Sequence, residues 1–251
     1  MKKYLLMGLV LCTGFFGYAQ KEINFKLNPE IGKPMTLNML MKTDVDGPQS
    51  VIMDMNMQIL MTPKQMDGEN FVIENITKSI KADIDAGMMT MSYNSAEEPA
   101  DEMGKMLGEQ FSKIIGQTIT LVISPKGKTI RVDIPEGLTD GVDKASYSNI
   151  NTAFPETAVA LGASWNTVTQ AENTPLLART ETTATYKEET AEGYVIAVEG
   201  KVLDTSDKEV GTIVGSYTID KKTHFTKLAQ IKTQLELEGT KIISTVDITI
   251  N

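Results

Sequence analysis

The sequence predicts a mainly β protein: a curved antiparallel sheet, half-barrel or barrel-like, with one amphipathic helix at about 98–115. Three observations lead there. Apolar and polar residues alternate with period two over most of the chain, as in strands with one buried face. A single stretch departs to a helical period. Turn-forming pairs, Asp46-Gly47 and Asp67-Gly68 among them, separate the alternating runs, so consecutive strands are expected to pair as hairpins. Two sheets packed face to face are the alternative architecture.

The first run, 35–42, sets Met35, Leu37, Met39 and Met41 on one side and Thr36, Asn38 and Lys42 on the other. In 51–62, Val51, Met53, Met55, Met57, Ile59 and Met61 alternate with residues that include Asp54, Asn56 and Gln58. Val72, Ile76, Ile80 and Ile84 are expected to share a face of the next strand, with Lys78 among them, and Met89, Met91 and Tyr93 one side of a further strand. This first third reads as a meander of four or five strands. Met103, Met106, Leu107, Phe111, Ile114 and Ile115 then take helical spacing. Ser95 is the expected N-cap, Glu97, Glu98 and Asp101 suit the positive end of the helix dipole, and Gly116 suits the stop. The apolar stripe of this helix needs a surface to cover, and the methionine-rich sheet is the expected one. Two strands follow around a "PKGK" turn. Residues 135–163 are irregular, with a short helix expected near 154–161. From Trp165 the chain is strand after strand to its end.

The chain opens "MKKYLLMGLVLCTGFFGYAQ", a basic start, a short apolar stretch and small residues at Gly17 and Ala19. That pattern predicts a signal peptide over 1–19, leaving 20–251 as a single β-rich domain. The only cysteine, Cys12, lies in the apolar stretch behind Leu11, where a lipoprotein signal wants a small residue. The exported chain would therefore carry no disulfide, thiol nucleophile or thiolate ligand. Net charge is −9, and loss of Lys2 and Lys3 makes it more negative. Such a surface argues against nucleic acid and against anionic lipid headgroups. No later stretch is long and apolar enough to span a bilayer as a helix. The expected location is the periplasm or the cell exterior.

Residues 154–168, "FPETAVALGASWNTV", carry a pattern of Pro155, Val159, Gly162, Ser164 and Trp165. It resembles the centre of an uncharacterised family of exported Bacteroidetes proteins, in which Gly-Asp-Ser-Trp precedes a strand; Ala163 stands here in place of the acidic residue. The layout of meander, helix and a Gly116-to-Gly127 element is similar to that family, which implies no known activity. The expected shape also resembles the half-barrels of periplasmic lipoprotein carriers, where a curved sheet holds acyl chains against a helix. Fold alone does not fix function.

The methionines are the main candidate site: Met39, Met41, Met53, Met55, Met57 and Met89, with Met106 and Phe111 from the helix. Three readings stand side by side. Methionine fills irregular cores, and its flexible, polarizable side chain also suits a cavity for varied apolar ligands. Thioethers bind Cu(I) as well, which here would need Met39 or Met41 opposite Met55. His224, the single histidine, alternates with Phe225 and is expected to face solvent. Alone, it completes neither a zinc site nor a triad. Asp44 with Asp46, Asp83 with Asp85, and Asp204 with Asp207 read as hairpin tips or solvated strand faces, and Trp165 as a core anchor. The expectation is a non-enzymatic exported protein without cofactor, binding a lipid or apolar small molecule. The alternative is a structural or interaction protein of the cell envelope with a dry core.

Overall fold

The computed structural model describes residues 21–138, 153–171 and 176–251, so the expected signal peptide lies outside the described residues. The strands are β1 (Glu22–Ile23), β2 (Met35–Asp46), β3 (Val51–Asp67), β4 (Asn70–Asp85) and β5 (Thr90–Asn94). After helix α1 (Glu102–Phe111) come β6 (Thr118–Ile123), β7 (Thr129–Asp133), β8 (Val159–Ala160), β9 (Ser164–Gln170) and β10 (Leu177–Glu189). The chain closes with β11 (Tyr194–Asp204), β12 (Glu209–Ile219), β13 (Thr226–Leu237) and β14 (Thr240–Ile250).

All but β1 and β8 join one antiparallel sheet of 12 strands in the order β7-β6-β4-β3-β2-β14-β13-β12-β11-β10-β9, with β5 beside β4. Two meanders therefore run outwards from a central β2–β14 pair. The sheet does not close on itself, and it forms the expected curved half-barrel. Glycines in the strands allow neighbouring backbones to approach closely. A Cβ on Gly215 would lie 2.2 Å from the Gln230 carbonyl oxygen, and one on Gly211 2.4 Å from that of Gln234. The β13–β14 hairpin turns through Glu238 and Gly239 at φ of 50° and 80°, the left-handed pair that matches strand twist in a two-residue loop.

One strand departs from its expected phase. Gln58 pairs with Ser79 but Ile59 with Thr77, leaving the exposed Lys78 as a bulge. A one-residue insertion exchanges the faces of everything beyond it. Before the bulge Phe71, Ile73, Asn75 and Thr77 are buried; after it, Ile80 and Ala82 are. Val72 and Ile76 are on the opposite face, so the four residues expected to share a side do not.

The helix is shorter than expected. Ser95 is drawn into pairing with β4, its N–H donating to the Ile80 carbonyl at 2.9 Å while its Oγ accepts from the Ile80 N–H at 3.0 Å. Asp101 caps the helix instead, accepting from the Gly104 N–H at 2.7 Å. Gly116, at φ 78°, follows the last turn and donates to Thr77 at 2.9 Å. The helix packs on β5 rather than over the methionine strands. Gly104 and Gly108 face that strand: added Cβ atoms would lie 2.8 Å from the Ser92 carbonyl oxygen and 3.0 Å from the Tyr93 ring.

One end of the inner face is plugged. Residues 22–28 cross it, with Ile23, Phe25 and Leu27 all buried in the core. The expected helix near 154–161 does not form, the stretch being irregular up to the short strand β8: Val159 pairs with Ile23, and Phe154 stacks on Phe25 at 5.3 Å between centroids. Phe25 is fully buried and meets Tyr186 and Tyr194 edge-on at 5.7 and 5.4 Å. Polar clips hold the segment at both flanks. Leu27 N–H donates to the Pro125 carbonyl at 2.8 Å and Asn28 N–H to that of Thr223 at 2.7 Å. Lys126 Nζ donates to the Phe25 carbonyl at 3.0 Å and to Asn24 Oδ1 at 2.8 Å, in surroundings whose burial pulls its pKa down.

His224 belongs to this plug and does not face solvent as expected. It is half-buried at φ 54°, with its ring 5.6 Å from Phe25, and its Nδ1 lies against the Lys26 backbone, 3.0 Å from the nitrogen and 2.9 Å from the carbonyl oxygen. Burial lowers its pKa from the ordinary 6.5, against weaker opposing effects of the Lys26 backbone and Asp220.

Two outcomes follow for stability. Phe25→Ala should lower the unfolding free energy by about 3–5 kcal/mol, read from denaturant titration, because a fully packed ring leaves a cavity. Because the folded-state pKa of His224 lies below its unfolded value, the unfolded chain binds the extra proton first. Stability should fall as pH drops from about 7.5 to about 5.5, through the ordinary histidine range. His224→Asn, which tolerates the left-handed backbone, should flatten that slope.

Candidate functional site

Beyond the plug, the inner face can be followed across the sheet as three successive rows of directly paired residues. The first runs Trp165, Ala184, Val198, Gly215, Ile231, Val246, Met41, Met55, Ala82, Tyr93. It crosses ten strands without a polar side chain apart from the ring atoms of its two end residues. The second runs Thr167, Thr182, Gly200, Ile213, Thr233, Ser244, Thr43, Met53, Ile84, Met91. The third runs Thr169, Thr180, Val202, Gly211, Leu235, Ile242, Val45, Val51. No Asp, Glu, Lys or Arg stands in any of the three. The alternation of each strand sends its charges to the other face.

That other face carries the ion pairs. Lys42 reaches Asp54 at 3.7 Å and Lys81 reaches Asp83 at 3.8 Å. Arg179 Nε donates to Glu181 at 2.8 Å and also pairs with Asp207, while Lys201 approaches Glu181 at 3.2 Å. Hydrogen bonds from Arg179 and then Lys201 hold the Glu181 carboxyl below the usual carboxylate range. Among the described residues, no group of three or more His, Cys, Asp or Glu side chains is placed to hold a metal.

Five of the eight residues singled out in sequence stand together on the inner face. Met41 is directly opposite Met55, Met39 opposite Met57, and Met53 opposite Thr43. Met39 and Met57 pack against the core beside the plug, whereas Met41, Met53 and Met55 lie further out and are half-buried. The opposition of Met41 and Met55 is the one a thioether metal site would need, but neither histidine nor carboxylate shares their rows. Met89 lies outside the strands, in the β4–β5 turn, and is 49% exposed. Met106 is 56% exposed on the helix. Phe111 reaches the site indirectly, its ring 5.4 Å from that of Tyr93 at the end of the first row.

Residues not singled out complete the face. Met91 ends the second row, and Tyr93 carries the helix. Trp165 sits at the far end of the first row, anchored as expected, its Nε1 donating to the Ala153 carbonyl at 3.0 Å. Among the described residues, one depression of about 230 Å³ lies away from these rows, around Ser216, Gln230 and Asp247, and another of similar size adjoins the end of the second row, around Asp54, Asp83, Ile84 and Met91.

No helix among the described residues is long and apolar enough to cross a membrane. No protein-family model matches the chain, and no curated protein matches it in sequence. Its fold is similar to part of lipovitellin, in a structure concerned with lipid–protein interactions: TM-score 0.55, 10% identity, 88% of this chain covered. The match spans 25% of the lipovitellin chain. A domain described as an outer membrane lipoprotein-sorting protein from Vibrio parahaemolyticus matches at TM-score 0.28 and 8% identity, over 87% of this chain and 85% of that one, too distant to carry an argument.

Proposed function

We propose that the protein is an exported, non-enzymatic binding protein that holds a lipid or similar apolar molecule against its methionine-bearing inner face. The observation that carries this reading is the uncharged surface of three rows, which continues past the plugged core across as many as ten strands. Methionine suits such a surface, since its unbranched thioether adapts to ligands of different shape. Each methylene taken from water onto it is worth about 0.8 kcal/mol. Met39, Met41, Met53, Met55 and Met57 form the wall, and Tyr93, backed by Phe111, forms its flank. The likeness to lipovitellin adds a lipid-associated protein of similar fold. Export rests on the signal-like start and on the 154–168 motif similar to that of exported Bacteroidetes proteins.

The second reading, a structural or interaction protein of the cell envelope, draws on the tightly packed plug and on the depression around Gln230, which lies away from the methionine rows.

Trp165 provides the test, being the only tryptophan and lying on the same face. A brominated acyl chain bound there should quench its fluorescence. Met55→Lys places an unpaired charge in the middle of the wall, at a cost of several kcal/mol if it is covered. The variant should keep its circular dichroism spectrum and bind at least about tenfold more weakly, about 1.4 kcal/mol. Undiminished quenching in the folded variant contradicts the reading.

A further inference from the structure

The inner face is divided by polarity. Thr167 pairs with Thr182 and Thr169 with Thr180, a two-by-two patch of half-buried threonines on β9 and β10. Thr233, Ser244 and Thr43 follow one another across β13, β14 and β2, with the Thr43 and Ser244 hydroxyls 3.2 Å apart. On the opposite flank the second row changes to Met53, Ile84 and Met91, and the first row is apolar beneath both flanks. Hydroxyls donate and accept hydrogen bonds but carry no charge. A carboxylate or phosphate drawn onto this surface would lose hydration without meeting a cation. It would also approach a chain of net charge −9.

We propose, building on the binding reading above, that the ligand is an uncharged amphiphile with a hydroxyl-bearing headgroup, of the monoacylglycerol class. The glycerol hydroxyls exchange hydrogen bonds with the threonine patch. The acyl chain follows the apolar first row, past Val198, Ile231 and Val246, towards Met41 and Met55. The headgroup site and the methionine wall are thus two ends of one surface, and each can be altered without the other.

Two probes with the same chain separate headgroup from tail: dibrominated stearoyl glycerol and free dibrominated stearate, at about pH 8, where the acid is ionised. The purified full chain, processed as its host processes it, is titrated with each while Trp165 quenching is followed. The glyceride should bind at least about tenfold tighter than the stearate. Thr180→Val with Thr182→Val keeps β-branched side chains on the strand. This double variant should lose most of that preference by weakening glyceride binding, with stearate binding little changed. Stearate binding as tightly as the glyceride, or a double variant with its preference intact, overturns the inference while leaving a lipid-binding protein. Absence of quenching by either probe overturns the binding reading and the inference together.

Discussion

The structure depends on the pairing of β2 with β14. Ten residue pairs, from Leu37 with Ile250 to Asp46 with Lys241, join the first strand of the sheet to the last. This contact between distant parts of the sequence converts two local meanders into one sheet. It also places the methionine strands near the middle and leaves β7 and β9 at the edges. Between β7 at one edge and β9 at the other in sequence, Phe154 and Val159 lie over the inner face.

The two ends of the inner face differ because the crossing segments cover only one of them. Near Phe25 the sheet is a packed core in which a histidine, a lysine and several backbone groups secure two crossing segments. Further out, the same strands continue with the same alternation but carry half-buried methionines, threonines and glycines. The methionines span both regions, which explains why they admit both a core and a ligand reading: Met61 is fully buried, whereas Met53 and Met55 are not. A strand long enough to serve both ends must keep an apolar inner face throughout.

Much of this was legible in the sequence. Period-two alternation identified the long strands and their inner faces, and a turn after Asp46 joins β2 to β3, whose pairing brings Met41 opposite Met55. The failures have physical causes. Lys78 as a bulge cannot be told from Lys78 in an ordinary strand until the partner is known, so the face of Val72 and Ile76 came out reversed. Ser95 was a sound N-cap by chemistry, but the edge of β4 offered it a better use. Met106 fits a helical stripe in projection, yet contact with β5 runs through Gly104 and Gly108, so Met106 is left outside. His224 was placed by alternation with Phe225, but its left-handed backbone breaks the strand pattern there. The threonine patch gave no sequence signal, because threonine is an ordinary strand residue and only the β9–β10 register sets the four together.

If the inner face beyond the plug is a surface for lipid, the bound molecule should accompany the protein through gentle purification. The most direct test is native mass spectrometry of the protein isolated from its own host without detergent, before and after organic extraction. The expected result is an added mass of lipid size, present before extraction and absent after it. A bare polypeptide mass in both spectra would contradict it and turn attention to protein partners at the sheet's edges.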